Sequence, residues 1–169
     1  MLIRFYLILI IIIFSHNTSF AKDIPIIVIA PSKTNQSYSS VGTSVTTLNN
    51  KEIQEAGEFF LADVLNDSLP GMNYFRSGGY GTTTGIQLRG LPKRYSTVYI
   101  DGVKMSDPSS SDNSFYFSNI MTSSIDKVEI LRGSNSSVYG SGAIGGVINI
   151  FTKKGKLKET NINVNGGSN

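Results

Sequence analysis

One run of the sequence has the glycine spacing that many proteins use to bind a pyrophosphate. Residues 140–145 read GSGAIG, which fits the pattern G-x-G-x-x-G. In a dinucleotide-binding fold these glycines let the phosphates approach the amino terminus of a helix, so a strand must precede the motif and a helix must follow it. Here a second strand-like run, VINIF at residues 147–151, follows at once. The motif therefore indicates a closely packed crossing between two strands and not a nucleotide site.

The side chains that carry most catalytic chemistry are scarce. The chain has no cysteine and a single histidine, His16, which lies in the apolar amino-terminal region. The rest of the chain offers no thiol nucleophile, histidine base, His/Cys zinc site or disulfide. Asp107 and Asp112 lie in a serine-rich loop, but Pro108 and the serines replace the ligands and the glycine of an EF-hand. We expect a protein that is not an enzyme and that uses no cofactor or metal.

The amino terminus has the features of a secretory signal. Arg4 is followed by an apolar run at residues 5–14 and by Ser19-Phe20-Ala21, a small-x-small cleavage site. Roughly ten to thirteen apolar residues are too few to cross about 30 Å of hydrocarbon, so a cleaved signal at residues 1–21 is favoured over an uncleaved anchor. The remaining chain, of about 150 residues, fits one domain.

A lysine cluster near the end of the chain carries part of the small net charge of +3. Such a cluster could bind nucleic acid or anionic lipid. No aromatic residues are interleaved with these lysines in an exported chain, so a solvated linker is favoured and we expect no nucleic-acid partner. The cluster consists of Lys153, Lys154, Lys156 and Lys158.

The clearest strands flank the glycine-rich crossing. Residues 125–131 alternate, with Val128 and Ile130 on one face and Lys127 and Glu129 on the other. Residues 147–151 are a second β-branched run. The crossing between them also contains apolar residues, which a flexible linker would not need.

Other elements have local signals. Residues 45–48 predict a short strand, and the Asn49-x-x-Glu52 pattern predicts a capped helix at residues 51–56. A second helix is predicted at residues 59–69, ending before Pro70-Gly71.

A two-residue hairpin is predicted around Asp101-Gly102. It pairs Ile100 with Val103 and Val98 with Met105, which places these four side chains on one face, toward the core.

Four motifs, taken in order, resemble the plug domain of TonB-dependent outer-membrane receptors. They are LNDSLPG at residues 65–71, LRG at residues 88–90, VYIDGV at residues 98–103, and the VEILRG, YG and AIGGVINI elements within residues 128–150. Among these receptors the resemblance is strongest to the vitamin B12 (cobalamin) subgroup. It implies an α+β fold, with a small mixed sheet of about four strands and short helices inside an outer-membrane β-barrel.

The resemblance also implies a domain order. Residues 22–44 would hold a TonB box and a flexible segment, residues 45–155 the plug, and residues 156–169 the start of the first barrel strand. In the last range, TNINVN at residues 160–165 alternates apolar and polar side chains, as a barrel strand does.

The TonB box implied by the resemblance falls on the run DIPIIVIA between the signal and a polar stretch. Pro25 and Pro31 argue against a central strand, so we expect an extended segment that is not docked in a sheet. Pro25 and Ile29 depart from the family pattern, and an ordinary first strand is the alternative. The predicted TonB-binding residues are Asp23, Ile24, Pro25, Ile26, Ile27, Val28, Ile29 and Ala30.

Two polar loops, the first at residues 76–85 and the second at residues 106–116, are the predicted substrate site, because recognition groups are usually placed on loops between rigid elements. Aromatic side chains there could stack on a large flat ligand such as a corrinoid or siderophore. We expect the first loop to present Arg76 and Tyr80 to solvent. The predicted substrate-binding residues are Arg76, Ser77, Tyr80, Thr82, Ser106, Asp107, Phe115 and Tyr116.

The resemblance assigns Arg89 and Arg132 to plug–barrel contacts. Each precedes a glycine at a strand end, and the matching arginines of the family face glutamates on the barrel wall, with Glu129 nearby. A guanidinium in a confined lumen needs a carboxylate partner to offset its desolvation. The alternative is a pair of exposed arginines.

The function implied by the resemblance is active import across the outer membrane of a Gram-negative bacterium. The barrel would be the chain's own or a supplied one, and without a barrel the chain would be periplasmic. The implied partners are TonB, driven by ExbB and ExbD through the proton-motive force, and a scarce small molecule. A small secreted or periplasmic binding or adhesion protein is the alternative function.

Overall fold

The computed structural model describes residues 27–29 and 32–155. The predicted signal at residues 1–21, the TonB-box residues 23–26 and 30, and the predicted barrel strand at residues 156–169 lie outside the described residues.

The described part of the chain is an α+β fold, which confirms the predicted class. Its strands are β1 (Ile27–Val28), β2 (Gln36–Ser37), β3 (Ser44–Asn49), β4 (Met72–Arg76), β5 (Thr84–Leu88), β6 (Ser96–Ile100), β7 (Val103–Met105), β8 (Ile125–Arg132) and β9 (Gly146–Thr152). Its α-helices are α1 (Asn50–Glu55), α2 (Leu61–Ser68) and α3 (Ser136–Tyr139).

The central sheet is mixed and has five strands, one more than the resemblance implied, in the order β3-β8-β9-β6-β7. The two strands that flank the glycine-rich crossing, β8 and β9, are neighbours and pair antiparallel, whereas β6 and β9 are parallel. Two further sheets have two strands each, β1-β2 and β4-β5.

One side of the central sheet, here called the first face, carries the larger core. Register aligns Leu48, Val128 and Ile150 in one row across β3, β8 and β9, and Ile130 and Ile148 in the next row. These side chains pack with apolar residues of α1, α2, β4 and β5, namely Ile53, Leu61, Val64, Leu65, Met72, Ile86 and Leu88.

The helices on the first face begin and end largely as predicted. Asn49 and Glu52 form a reciprocal capping box at the start of α1, with the Asn49 side chain accepting from the Glu52 N–H at 3.0 Å. Gly57 follows the helix with a φ of +72°, a backbone conformation in which glycine is not strained. α2 is shorter than predicted and lies within residues 59–69.

The opposite side of the sheet, the second face, carries a smaller core. Val45, Leu131 and Val147 lie side by side there and pack with Val28, Tyr139 and Ala143. The neighbouring row is polar, because register places Thr47, Glu129, Asn149 and Tyr99 next to one another. Glu129 is fully buried, although its type would favour exposure.

The hairpin between β6 and β7 has the predicted register. Asp101 and Gly102 both have positive φ, 48° and 83°, as a type I′ turn requires. The prediction that all four apolar side chains face the core is wrong for Val103, which is 64% exposed. β7 lies at the edge of the sheet, so less of the chain packs against its end.

The glycine-rich crossing is closely packed, as its composition predicted. Gly146 has a φ of +150°, and a Cβ at this position would collide with the Leu131 carbonyl oxygen and the Leu88 side chain. At Gly145 a Cβ would lie 3.1 Å from the Tyr95 carbonyl oxygen. Only glycine lets β9 start this close to its neighbours.

Candidate functional site

The two loops predicted to bind substrate share one base in the structure. The first connects β4 to β5, and the Thr84 carbonyl at its end accepts a 2.7 Å hydrogen bond from the N–H of Phe117, just beyond the second loop. The Thr84 N–H in turn donates to Ser118 Oγ at 3.3 Å. These bonds join sequence positions 33 and 34 residues apart and hold the two loops side by side.

The first loop presents Tyr80 to solvent as predicted. Its side chain is 71% exposed, yet the ring stacks on Phe60 with centroids 5.5 Å apart and planes 22° apart. The loop backbone closes on itself, since Thr82 Oγ1 donates to the Gly79 carbonyl at 2.7 Å and Ser77 N–H donates to the Thr83 carbonyl at 3.0 Å. The loop therefore presents an exposed aromatic ring on an ordered support.

The prediction that Arg76 faces solvent is wrong. Arg76 is the last residue of β4, its side chain is only 14% exposed, and Nη2 donates to both carboxylate oxygens of Asp63 at 2.8 and 2.9 Å. Its guanidinium also lies 4.8 Å from the Tyr74 ring centroid and 5.0 Å from that of Tyr80. Arg76 thus joins α2 to the base of the first loop.

Lys93 organises the second loop from outside it. Its Nζ donates to the Asp112 carboxylate at 3.1 Å and to the Tyr116 hydroxyl at 2.9 Å. Burial disfavours the ammonium, but the hydrogen bonds to Tyr116 and Asp112 outweigh burial, and the pKa of Lys93 is raised. The Lys93 stem passes so close to Gly85 that a Cβ there would lie 2.9 Å from it.

The other predicted residues of the second loop have different surroundings. Asp107 accepts from the N–H and the hydroxyl of Ser109 at 2.9 and 2.6 Å, and the Ser109 hydroxyl lowers the pKa of this carboxyl. Ser106 is exposed. Phe115 packs edge-on against Phe117 with centroids 5.1 Å apart and contacts the larger core. Phe115 is half-buried, as is Tyr116, whereas the Tyr80 ring is the most exposed of the three.

Arg89 and Arg132 are close together, each at the end of a strand. A Cβ on Gly133, the residue after Arg132, would lie 3.8 Å from Arg89 Nη1. Arg89 is exposed and adopts a φ of 53°, an uncommon conformation for a residue with a side chain. Arg132 Nε is buried and has no hydrogen-bond partner among the described residues.

Glu129 does not join these arginines. It lies on the second face, fully buried, where Oε1 accepts from Lys127 Nζ at 2.6 Å and Oε2 accepts from the Ile29 N–H at 2.9 Å. The predicted place of Glu129 beside the plug–barrel arginines is therefore wrong, and its carboxylate instead contacts the amino-terminal segment.

Within the predicted TonB-binding segment, the described residues 27–29 are docked on the sheet, contrary to expectation. β1 pairs antiparallel with β2, and Val28 is fully buried in the smaller core. The polar stretch that follows also lies over the smaller core: Lys33 Nζ is 4.9 Å from the ring centroid of Tyr139 in α3, and the Tyr38 hydroxyl donates to the Val45 carbonyl of β3 at 3.0 Å. Short-range pattern could not reveal this docking, because β1 has only two residues.

Sequence reasoning missed several residues that shape the site. Asp63, Phe60 and Lys93 each fix a predicted site residue, yet they lie 13, 20 and 23 positions away from Arg76, Tyr80 and Tyr116. An acidic residue in the first turn of a helix has an ordinary capping explanation, so Asp63 gave no signal. Two adjacent phenylalanines before a helix were the one local hint of an aromatic cluster.

In the part of the chain that the structure describes, no group of three or more His, Cys, Asp or Glu side chains is arranged to hold a metal ion. The same residues include no helix of the length and apolarity needed to span a membrane.

The α+β fold is the one that the sequence motifs implied, and the family comparison agrees. Residues 37–147 match the family model described as the TonB-dependent Receptor Plug Domain. The chain belongs to this family, as its motifs predicted.

Two curated relatives are vitamin B12 transporters named BtuB. The chain is 35% identical over 127 residues to that of Photobacterium profundum, covering 75% of this chain and 20% of the relative. It is 30% identical over 136 residues to that of Vibrio vulnificus, covering 80% and 22%. The predicted likeness to the vitamin B12 receptor subgroup is confirmed, and the chain spans about a fifth of these relatives.

Solved receptors contain the same fold. The ferric yersiniabactin uptake receptor FyuA from Yersinia pestis matches with a TM-score of 0.50 and 30% identity, over 69% of this chain and 18% of that one. The alcaligin outer-membrane receptor FauA from Bordetella pertussis matches with a TM-score of 0.60 and 22% identity, over 79% and 22%. The second likeness concerns the fold alone.

Proposed function

We propose that this chain is the plug of an outer-membrane importer that binds a corrinoid or siderophore and is opened by TonB, with ExbB and ExbD, at the expense of the proton-motive force. The observation that carries the proposal is the family match over residues 37–147, together with relatives named as vitamin B12 transporters. The plug performs no covalent chemistry in this proposal. The family match does not favour the alternative of a small binding or adhesion protein.

The plug's share of the substrate site is the pair of loops joined at Thr84. Tyr80 offers an exposed ring on the Phe60 support, and Tyr116 is fixed through its hydroxyl by Lys93. Aromatic rings held in this way can stack on a large flat ligand with little loss of side-chain entropy. The ordered polar groups of Ser77, Thr82 and Asp107 would contribute hydrogen bonds.

Substitution of Tyr80 by alanine tests this role. In a complete receptor that carries this plug, we expect Tyr80→Ala to weaken cobalamin binding about tenfold, the loss of roughly one stacking contact. Phe75→Ala is the matched control, because Phe75 is also exposed, at 59%, but lies within β4 and outside the predicted site. An unchanged dissociation constant for cobalamin, and for a ferric siderophore tested in parallel, would remove Tyr80 from the site.

The amino-terminal segment is proposed to bind TonB by adding a strand to a foreign sheet edge. A proline at Val28 would remove a backbone donor and restrict Ile27, so Val28→Pro should abolish transport while leaving substrate binding intact. Transport at the normal rate in this variant would contradict the assignment. So would unfolding of the plug after deletion of residues 22–31.

Arg89 and Arg132 are proposed to meet carboxylates of the barrel wall. The buried Nε of Arg132 supports this, because a buried donor is costly unless it finds an acceptor. Arg132→Ala should weaken retention of the plug by a supplied barrel more than it lowers the stability of the plug itself. Equal effects would mean that the pairing is internal.

A further inference from the structure

Lys93 reaches the second loop by passing over a glycine of β5. It lies in a short 3-10 helix, Lys93–Tyr95, just before β6, whereas its ammonium contacts Asp112, 19 positions later. The three atoms nearest to a Cβ added at Gly85 all belong to the Lys93 side chain. Gly85 is buried and its φ is not positive, so the backbone itself does not require glycine there. Gly85 therefore leaves the space that the Lys93 stem occupies.

The carboxylate of Asp112 is the centre of the hydrogen bonds that fold the second loop. Its Oδ1 accepts from the Ser110 hydroxyl at 3.1 Å and from the Ser114 N–H at 3.2 Å. The backbone turns between these residues, because Asn113 adopts a φ of 52°. Hydrogen bonds from Ser114 and then from Lys93 lower the pKa of Asp112, so the carboxylate is ionised at physiological pH. Lys93 is the partner that ties this carboxylate to the rest of the fold.

Tyr116 is held by the same ammonium. Lys93 Nζ donates to the Tyr116 hydroxyl at 2.9 Å and lies 4.5 Å from the ring centroid. The Lys93 and Asp112 side chains are 28% and 23% exposed, so water screens this pair less than it screens a fully exposed one. One ammonium therefore sets both the path of the loop and the position of the Tyr116 ring.

We propose that Lys93 is a positioning residue of the substrate site and that Gly85 provides the passage for its side chain. The proposal rests on the proposed function, in which the second loop and Tyr116 bind substrate. Lys93 acts through Asp112 and Tyr116 and not by contact with the ligand. A loop that becomes ordered only on binding lowers the affinity by the free energy of that ordering, and a loop held in advance avoids this loss.

Hydrogen exchange in the full chain tests the positioning role without a ligand. Lys93→Met keeps most of the stem and removes the ammonium, so the Ser114 amide, which donates to Asp112, should exchange roughly tenfold faster than in the wild type. Lys93→Arg keeps a cation and should exchange Ser114 within about threefold of the wild-type rate. Arg94→Met is the matched control, because it removes the same charge from the same turn, while Arg94 is exposed and lies against the Tyr95 ring.

Protection of the Ile130 and Ile148 amides in the larger core reports whether the fold is intact in each variant. A Ser114 rate in Lys93→Met within about twofold of the wild type would overturn the proposal, because the ammonium would then not order the loop. An equal increase in Arg94→Met would also overturn it, since the effect would then belong to the net charge of the turn.

Gly85→Ala tests the passage independently. The added Cβ would lie 2.9 Å from Lys93 Cδ and displace the stem, so Gly85→Ala should speed Ser114 exchange about as much as Lys93→Met does. In a Lys93→Ala background the stem is absent, and the same change should alter the rate by less than about twofold. An effect of equal size in both backgrounds would show that Gly85 acts through β5 and not through Lys93.

Cobalamin binding by a complete receptor that carries this plug separates this inference from the proposed function. Lys93→Met should raise the dissociation constant roughly three- to tenfold, and Arg94→Met should leave it unchanged. Faster Ser114 exchange with an unchanged dissociation constant would overturn the positioning role at the substrate site. Failure of the wild-type receptor to bind cobalamin or a ferric siderophore would count against the proposed function. Unchanged exchange overturns the positioning of the loop whatever the receptor binds.

Discussion

The two faces of the central sheet bury similar side chains but are covered in different ways. The first face is covered by α1, α2 and the β4–β5 hairpin, elements with their own hydrogen-bonded structure. The second face is covered in part by β1, a two-residue strand. A cover of this size opens locally at a small fraction of the free energy of global unfolding. The described cover of the second face is therefore the smaller of the two.

Each region also contains a buried carboxylate, and the two are paired differently. Both carboxylate oxygens of Asp63, in α2, accept hydrogen bonds from one guanidinium nitrogen of Arg76, in the β4–β5 hairpin. Glu129 shares its two oxygens between a lysine and the backbone of the amino-terminal segment. The first arrangement joins two elements of the core. The second joins the core to a short strand.

The largest effect is expected from breaking the first pair. Arg76→Ala leaves the Asp63 carboxylate, 9% exposed, without its cation, and should lower the free energy of unfolding by about 3 kcal/mol. Denaturant unfolding followed by circular dichroism measures it. Lys51→Ala is the control, because the Lys51–Glu55 pair is exposed at 82% and 64% and should change stability by about 0.3 kcal/mol. If Arg76→Ala lowered the free energy of unfolding no more than Lys51→Ala does, Asp63 would have another partner.

A pair of apolar truncations compares the faces directly. Ile130→Ala on the first face should lower the global free energy of unfolding by about 2–4 kcal/mol. Val28→Ala on the second face should leave the global midpoint nearly unchanged and speed exchange of the Ile29 amide, because only the local cover is weakened. Both side chains are fully buried, so burial alone does not distinguish them. Equal losses of global stability would mean that the segment is part of the permanent core.

Much of the first face could be predicted from local sequence signals. The capping box at Asn49, the Asp101-Gly102 turn and the alternation in β8 each specify an element within a few residues. The glycine-rich crossing was predicted for the same reason, since only glycine fits where Gly146 passes the Leu131 carbonyl. These features depend on residues close together in the sequence, so local patterns are enough to predict them.

The second face and the site depended on contacts that local patterns do not encode. Ile29 and Glu129 are 100 positions apart, and a polar residue on an alternating strand predicts a solvated face unless the cover is known. Arg76 looked like a loop residue because its partner Asp63 lies in a preceding helix. The exposure of Tyr80 was predicted correctly from the polar loop around it, but its stacking on Phe60, 20 positions away, was not.

The smallest change in stability is expected at Asp101, in the turn between β6 and β7. Its carboxylate accepts from the Thr152 hydroxyl at 2.6 Å and the Thr152 N–H at 2.9 Å, and these bonds, the hydroxyl first, lower the pKa of Asp101. A lowered pKa in the folded state contributes stability above the unfolded value, near 3.8, and this stability is lost as the pH falls through the folded value.

Asp101→Asn keeps the positive φ of 48°, which asparagine tolerates, and removes the charge together with one of the two acceptor oxygens. At pH 7 the variant should be less stable than the wild type by about 0.5 kcal/mol, since the site is exposed to solvent. At a pH of about 2.5 the difference should shrink, because the wild-type carboxyl is then protonated in a growing fraction of molecules. Urea unfolding of both proteins at the two pH values measures the difference. A gap that persists unchanged at low pH would mean that the Asp101 charge does not stabilise the end of the sheet.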